Sequence, residues 1–119
     1  MKVAVIGASN KVDRYSYKAV ILLKEKGHQV FPVHQRVKEI EGIKVYKSIC
    51  EIDEDIDTVT MYVGEKISTV IGQDIVDKKP NRIIFNPGTE NAGLESLAKK
   101  NGIDAVNACT LVMLKTGLF

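Results

Sequence analysis

Short apolar runs and amphipathic segments alternate along the chain from its first residues to its last. Short runs rich in Val, Ile and Phe are typical of buried strands, and apolar residues spaced three and four apart are typical of helices. The first pattern predicts strands over residues 2–6, 29–33, 41–46, 57–63, 82–85 and 103–106. The second predicts helices over residues 15–26 and 90–100, a helix that begins at Gly64 or Glu65, a single turn from Ser48 and a short last helix within residues 108–118.

This alternation predicts a parallel sheet, because parallel neighbours need crossover connections and helices supply them. We expect one domain over residues 1–119, of the α/β class: a single Rossmann-like doubly wound parallel sheet of about five strands, in the order 3-2-1-4-5, with helices on both faces. In such sheets ligands bind beyond the carboxyl ends of the strands, where the strand order reverses. The turns after Ile6, Val33, Val63 and Phe85 are therefore expected to line a binding crevice.

The composition is that of an ordinary globular protein. Hydrophobic residues make up 45% of the 119 residues, and 17 Lys and Arg stand against 15 Asp and Glu. No clustered basic stripe is visible, so we expect no nucleic-acid partner. No apolar run approaches the ~20 residues of a membrane span and no signal-like leader opens the chain, so we expect a cytoplasmic protein that does not bind membranes. Cys50, Cys109 and two His residues form no recognisable metal-ligand pattern, so no metal is expected.

The turn after the first predicted strand suits a phosphate group. It reads Gly7-Ala8-Ser9-Asn10-Lys11, and Arg14 follows it. Small residues let the backbone approach a ligand closely, and the helix that follows points amide N–H groups at it. The side chains of Ser9 and Asn10 add donors, and those of Lys11 and Arg14 add positive charge. A small polar turn that binds nothing is the alternative interpretation.

The end of the second predicted strand favours a phosphorylated ribose. The chain lacks the Gly-x-Gly-x-x-Gly fingerprint of dinucleotide binders, and no carboxylate follows this strand before Glu39. His34 and Arg36 supply donors and positive charge instead. Coenzyme A carries a 3′-phosphate and NADP a 2′-phosphate, so both fit better than NAD. Arg36 also fits a solvated loop cation, and this segment alone leaves both interpretations open.

Five segments, in order along the chain, resemble a known family. They are Val5–Ser9, Gly27–His34, Gly42–Ser48, Asp57–Tyr62 and Asn101–Cys109. The first three are similar to its Val-x-Gly-Ala-Ser start, its Gly-Tyr-x-Val-x-Pro-Val-Asn/His segment and its Gly-x-x-x-Tyr-x-Ser run. The last two resemble its Asp-x-Val strand and its closing Gly-Ile/Leu-x-Val-x-x-x-x-Cys. On these motifs the chain resembles the stand-alone CoA-binding proteins related to the CoA-binding domain of the succinyl-CoA synthetase alpha subunit.

The resemblance implies which residues contact coenzyme A. By it, the first turn and its basic neighbours hold the diphosphate, and residues 33–36 flank the adenosine and its ribose phosphate. Residues 62–64 would form a wall beside the adenine or the pantetheine, and residues 86–88 would face the pantetheine arm. The full implied set is Gly7, Ala8, Ser9, Asn10, Lys11, Arg14, Val33, His34, Arg36, Tyr62, Val63, Gly64, Asn86, Pro87 and Gly88.

The chain departs from the family pattern at three points. Val12 stands where a Pro is common, and Ile84-Phe85-Asn86 replaces a Trp-x-Gln. Many members continue after the cysteine to a Glu-His pair, which Thr110–Leu114 lacks. The sequence therefore predicts no catalytic residue.

The sequence predicts a module that binds, senses or carries coenzyme A or an acyl-CoA. The alternatives are an NADP-dependent reductase or redox sensor that uses the same crevice, and a partner subunit of an acyl-CoA synthetase. A homo-oligomer is also left open. Replacing Gly7 with Val is expected to abolish cofactor binding and leave the domain folded, because a Cβ would block the approach of the backbone to the ligand.

Overall fold

Seven strands and four helices make up the structure, a computed structural model that describes all 119 residues. The strands are β1 (Lys2–Ile6), β2 (Gln29–Val33), β3 (Glu39–Ile40), β4 (Ile43–Lys44), β5 (Thr58–Met61), β6 (Arg82–Phe85) and β7 (Asp104–Asn107). The helices are α1 (Tyr15–Glu25), α2 (Glu65–Asp77), α3 (Ala92–Lys100) and α4 (Thr110–Thr116), and a 3-10 turn spans Ile49–Glu51. None of the four helices combines the length and the apolar character that crossing a bilayer requires.

Five of the strands form one parallel sheet in the order β2-β1-β5-β6-β7. β2 pairs with one side of β1, and the later strands are added on the other side. The strand order therefore reverses between β1 and β5. This arrangement confirms the predicted α/β class with a Rossmann-like, doubly wound parallel sheet.

The predicted third strand, at residues 41–46, takes a different form. Glu41 (φ 49°) and Gly42 (φ 80°) are both left-handed. Two such residues in succession make a tight hairpin turn, so β3 and β4 form a separate antiparallel pair. The chain rejoins the sheet at Tyr46, which forms a single parallel bridge with Val33 of β2. If the bridge at Tyr46 is counted as strand 3, with β5 as strand 4 and β6 as strand 5, the sheet has the predicted order 3-2-1-4-5. β7 is then a further strand at the far edge.

The sheet separates two cores, because successive side chains along a strand point to opposite faces. In β1, Ala4 and Ile6 face the core that α2 and α3 cover. Val3 and Val5 face the core that α1 and α4 cover. Consecutive residues where a strand ends at the carboxyl edge therefore point to different sides of the molecule.

At the amino edge of the sheet, His28 joins the first residue of the chain to the last. Its Nδ1 lies 3.1 Å from the amino group of Met1. Its ring meets that of Phe119 edge to face, with 5.2 Å between the ring centroids. The guanidinium of Arg82 lies 4.6 Å from the centroid of the Phe119 ring. Burial, the Met1 amino group and Arg82 together lower the pKa of His28.

We expect this environment to make the fold less stable as the pH falls through 6.5, the ordinary pKa of His. A base whose pKa is lowered by folding binds protons more tightly in the unfolded chain, so proton uptake favours unfolding below that pH. Urea unfolding at about pH 8 and about pH 5.5 measures the effect. The wild type should lose more free energy of unfolding than His28→Gln, which cannot titrate. Equal losses in the two proteins would rule out this role of His28.

Candidate functional site

A cavity of about 460 Å³ opens at the carboxyl edge of the sheet, beside the point where the strand order reverses. The ends of β1 and β2 form its base, α2 forms one wall, and the segments on either side of the β3–β4 hairpin form the other. Its volume is within the range of small-molecule sites. Its lining residues are Ile6, Gly7, Val33, His34, Gln35, Arg36, Lys47, Ser48, Ile49, Val63, Ile67, Ile71 and Asp74.

Helix α2 provides an apolar wall that ends in a carboxylate. Ile67, Ile71 and Asp74 are spaced four and three residues apart, which puts them on one face of the helix. Ile71 packs against the core beneath the cavity. Ile67 is 54% exposed and lines the cavity, so an apolar surface there is open to a ligand.

The opposite wall exists because Tyr46 pairs with the end of β2. The amide of His34 donates to the Tyr46 carbonyl, and the amide of Tyr46 donates to the Pro32 carbonyl, each at 2.9 Å. Oγ of Ser48 then accepts a hydrogen bond from the amide of Cys50 at 3.2 Å and starts the 3-10 turn. Residues 47–49 are thereby held beside residues 34–36 and share the cavity with them.

The ring of His34 has its Nδ1 committed to the backbone. That nitrogen accepts from the amides of Arg36 and Val37, at 3.0 and 3.2 Å. A ring nitrogen that accepts a hydrogen bond carries no proton, so in the neutral ring the proton is on Nε2. His34 therefore contributes an N–H donor to the set of residues that line the cavity.

Arg36 and Lys47 bring positive charge to the cavity without a carboxylate partner. Neither takes part in either of the two ion pairs that the structure contains. Asp74 is the single carboxylate among the lining residues. The cavity thus offers an anionic group two uncompensated cations and the His34 donor.

The first turn begins with Gly7 in the left-handed conformation, with a φ of 85°. The amides of Gly7 and Ala8 both donate to the Val33 carbonyl, at 3.0 and 3.1 Å. A Cβ on Gly7 would lie 2.7 Å from Cγ1 of Val63 and 2.9 Å from the carbonyl oxygen of Tyr62. A side chain at this position would therefore strain the fold itself. Gly7→Val would lose stability as well as cofactor contacts, so that variant cannot report on binding alone.

The rest of the loop before α1 lies outside the cavity. The side chain of Ala8 is buried against α1 and α4, and the cations of Lys11 and Arg14 are exposed. The amides of Ser9 and Asn10 donate no hydrogen bond within the chain. Arg14 is the N-cap of α1 and makes no capping hydrogen bond with its side chain. This loop thus holds unpaired amides and two cations at the same edge of the sheet as the cavity.

Tyr62 lies on the other side of the sheet from the cavity. It follows β5 directly before Val63, and neighbouring side chains point to opposite faces. Val63 lines the cavity, whereas Tyr62 packs against the core of α1 and α4. Burial and the neighbouring Cys109 raise the pKa of Tyr62 to about 12. Its hydroxyl group therefore stays protonated at neutral pH.

Asn86 is buried on the same side as Tyr62, with 2% of its surface exposed. Its Nδ2 donates to Oγ1 of Thr60 at 2.7 Å and to the carbonyl of Met61 at 2.8 Å. Its Oδ1 accepts from the amide of Thr110 at 2.9 Å, and the hydroxyls of Thr60 and Thr110 are 2.7 Å apart. We call these four residues the Asn86 network. It ties the end of β6 to β5 and to the start of α4, and it occupies both N–H groups of the Asn86 side chain.

Gly64, Pro87 and Gly88 are exposed at the carboxyl edge. Gly64 is the N-cap of α2, and the amide of Gly88 donates to the Glu90 carboxylate at 3.0 Å. None of the three lines the cavity.

The structure brings five of the fifteen residues proposed from the sequence to the cavity: Gly7, Val33, His34, Arg36 and Val63. The remaining ten surround it at the edge or lie across the sheet. The spacing of the apolar residues of α2 was the one sequence signal that could have identified more of the wall. The lining residues that sequence reasoning missed are Ile6, Gln35, Lys47, Ser48, Ile49, Ile67, Ile71 and Asp74.

Solved structures share this architecture over almost the whole chain. The structure of an uncharacterised protein superposes with a TM-score of 0.93 at 40% identity and covers 99% of this chain and 97% of its own. A hypothetical protein from Pyrococcus horikoshii OT3 gives a TM-score of 0.91 at 26% identity, over 98% of this chain and 83% of its own.

Sequence relatives include both short and long proteins. The Bacillus subtilis protein YneT, itself uncharacterised, is 33% identical over 101 residues, which cover 85% of this chain and 75% of YneT. An ADP-forming acetate–CoA ligase of Methanocaldococcus jannaschii is 36% identical over 122 residues, which cover 96% of this chain but 17% of the ligase. The chain thus spans about a sixth of the length of that ligase.

A sequence model of the family described as the CoA binding domain matches residues 1–115. That match takes in the whole sheet, the cavity and most of α4. The motifs that resembled this family therefore identified it correctly, and the chain belongs to the CoA-binding domain family related to the succinyl-CoA synthetase alpha subunit.

Proposed function

We propose that the chain binds coenzyme A, or an acyl-CoA, in the cavity and along the adjoining first turn. In this proposal it acts as a binding, sensing or carrier module without catalysis of its own. The main support for the proposal is that an apolar wall, two cations without ion-pair partners (Arg36 and Lys47) and the N–H donor of His34 lie together where the strand order reverses. Membership of the CoA-binding domain family supports the same ligand.

The adenosine 3′-phosphate end of the cofactor fits the chemistry of the cavity. The faces of a purine are apolar, and Val33, Ile67 and Ile71 supply aliphatic contacts. Arg36 and Lys47 would neutralise the ribose phosphate, since hydrogen bonds between ionised partners are the stronger ones. NAD has no phosphate on the 2′- or 3′-hydroxyl of its adenosine ribose, and the end of β2 lacks the carboxylate that NAD binders use there.

The diphosphate of the cofactor fits the loop between β1 and α1. The amides of Gly7 and Ala8 are used by Val33, so the amides of Ser9 and Asn10 are the donors that we assign to it. Lys11 and Arg14 and the positive end of the α1 dipole would add attraction for its negative charge.

The pantetheine arm would then leave the cavity along the exposed carboxyl edge. Gly64 follows β5, which lies next to β1 in the sheet, and the Pro87–Gly88 turn follows β6, which lies next to β5. These residues carry no bulky side chain that would hinder an extended chain. Because Asn86 and Tyr62 lie across the sheet, we assign them a structural role in holding this edge.

Calorimetric titration with CoA, acetyl-CoA, NADP and NAD tests the proposal directly. We expect heat of binding with CoA and acetyl-CoA and none with NAD. Binding of NADP without any response to CoA would overturn the proposal in favour of an NADP-dependent reductase or redox sensor.

The contribution of the ribose phosphate can be isolated with Arg36→Ala and with dephospho-CoA, which lacks the 3′-phosphate. A hydrogen bond to a charged group contributes about 1.5–3 kcal/mol, and about 1.4 kcal/mol corresponds to a tenfold change in Kd. We therefore expect Arg36→Ala to raise the Kd for CoA roughly 10–100-fold. The Kd for dephospho-CoA should change by no more than about twofold.

Lys38→Ala is the matched control for Arg36→Ala. Lys38 is two residues away, is exposed and does not line the cavity. Its loss removes the same charge from the same loop, so the Kd for CoA should stay within about twofold of the wild type. Equal weakening of CoA and dephospho-CoA by Arg36→Ala would mean that Arg36 does not contact the 3′-phosphate.

A partner subunit of an acyl-CoA synthetase is the second candidate function. The match to the acetate–CoA ligase of Methanocaldococcus jannaschii favours it, because that protein contains the equivalent of this chain within a much longer one. In this case the chain presents CoA to a partner chain that supplies the ATP site. Acetyl-CoA would form from acetate, ATP and CoA only when both chains are mixed. Its formation by the partner chain alone would exclude this role.

A further inference from the structure

One end of the cavity differs in charge from the rest of its wall. The residues that line it include two cations and several hydrogen-bond donors, but a single carboxylate, that of Asp74. The side chain of Asp74 forms no ion pair and no hydrogen bond within the chain. Its neighbour on the next turn, Asp77, differs in this respect because it accepts a hydrogen bond from Gln73 at 2.8 Å.

The position of Asp74 along α2 relates it to the apolar wall. Ile67, Ile71 and Asp74 share one face of the helix, and seven residues of helix rise about 10 Å. A planar ring that lies against Ile67 and Ile71 would therefore bring one edge close to the Asp74 carboxylate. The carboxylate is the charged acceptor at that end of the wall.

A carboxylate selects which part of an anionic ligand can lie next to it. It repels phosphate groups and attracts N–H or O–H donors. Adenine has one donor group on its ring edge, the exocyclic amine on C6. The phosphates of the ligand have their cations elsewhere, at Arg36, Lys47 and the first turn.

We propose that Asp74 determines base specificity by accepting a hydrogen bond from the exocyclic amine of adenine. This inference rests on the proposed function, since it concerns the base of the same bound cofactor. Ile67 and Ile71 contact the face of the ring, and the Asp74 carboxylate accepts a hydrogen bond from its edge. A ligand whose base lacks an amine at this position leaves the carboxylate without its partner and binds more weakly.

The test compares CoA with 1,N6-etheno-CoA, in which an added third ring joins N1 to N6 and removes both N–H groups of the amine. Calorimetric titration of the wild type should give a Kd about tenfold higher for etheno-CoA than for CoA. Asp74→Ala should bring the two Kd values to within about twofold of each other. The extra ring of etheno-CoA adds bulk as well, and a purely steric penalty would persist in Asp74→Ala.

Asp77→Ala is the matched control. It removes the same charge from the same helix one turn further on and does not line the cavity, so the preference for CoA should stay about tenfold. If wild type and Asp74→Ala discriminate equally, the inference about Asp74 is overturned while CoA binding stands. If CoA itself does not bind the wild type, the proposed function fails first and the inference with it.

Discussion

Replacing Gly7 with Ala is expected to lower the free energy of unfolding by about 3 kcal/mol. Two effects add. A non-glycine residue in the left-handed conformation costs about 1–2 kcal/mol, and the φ of Gly7 is 85°. The new Cβ would also lie 2.9 Å from the Tyr62 carbonyl oxygen and 2.7 Å from Cγ1 of Val63, so the end of β5 must shift. Thermal unfolding should show a drop in Tm on the order of 10 °C.

Gly64→Ala is the control for Gly7→Ala at the same edge of the sheet. Gly64 has a φ of −71°, and nothing lies within 4 Å of a Cβ built on it. Gly64 is the N-cap of α2, a position at which Ala is less favourable than Gly, so Gly64→Ala should lower the free energy of unfolding by no more than about 1 kcal/mol. Equal unfolding temperatures for Gly7→Ala and Gly64→Ala would contradict the close contact between the first turn and the end of β5.

Asn86→Ala is expected to destabilise the fold by about 4 kcal/mol. The truncation removes three hydrogen bonds and leaves the Thr110 amide and the Met61 carbonyl without a partner. Each buried polar group left unpaired costs about 1–3 kcal/mol. Urea unfolding measures the total, and amide hydrogen exchange in α4 should accelerate because its start is no longer held to β6.

Asn107→Ala provides the same chemical change one strand away. The Asn107 side chain is exposed and makes one hydrogen bond, to Glu95 at 3.2 Å. Loss of that bond should cost no more than about 0.5 kcal/mol. Comparable losses in the two variants would show that the Asn86 network does not stabilise the fold as its geometry indicates.

The strands and the edge of the sheet that holds the cavity were predictable because they depend on local patterns. The apolar run before Gly7 and the turn residues after Phe85 mark strand ends regardless of what packs around them. The third strand was not predictable in the same way. Its residues favour a strand, but Glu41 and Gly42 adopt a hairpin turn whose left-handed pair is decided by the structure.

The side of the sheet that carries the cavity was the second element that the sequence left undetermined. Tyr62 and Val63 are adjacent at a strand end, and the alternation of side chains sends only one of them to the cavity. Lys47 and Ser48 reach it through the bridge between Tyr46 and Val33, a pairing between residues 13 positions apart. No pattern in the neighbouring sequence predicts such a contact.

The division of the carboxyl edge into two sides has a consequence for how proteins with this fold can change. The Asn86 network lies across the sheet from the cavity, so substitutions at Arg36, Ile67 or Asp74 leave all its hydrogen bonds in place. Ligand preference can therefore diverge in evolution, or be redesigned in the laboratory, without weakening the contacts that hold β5, β6 and α4 together.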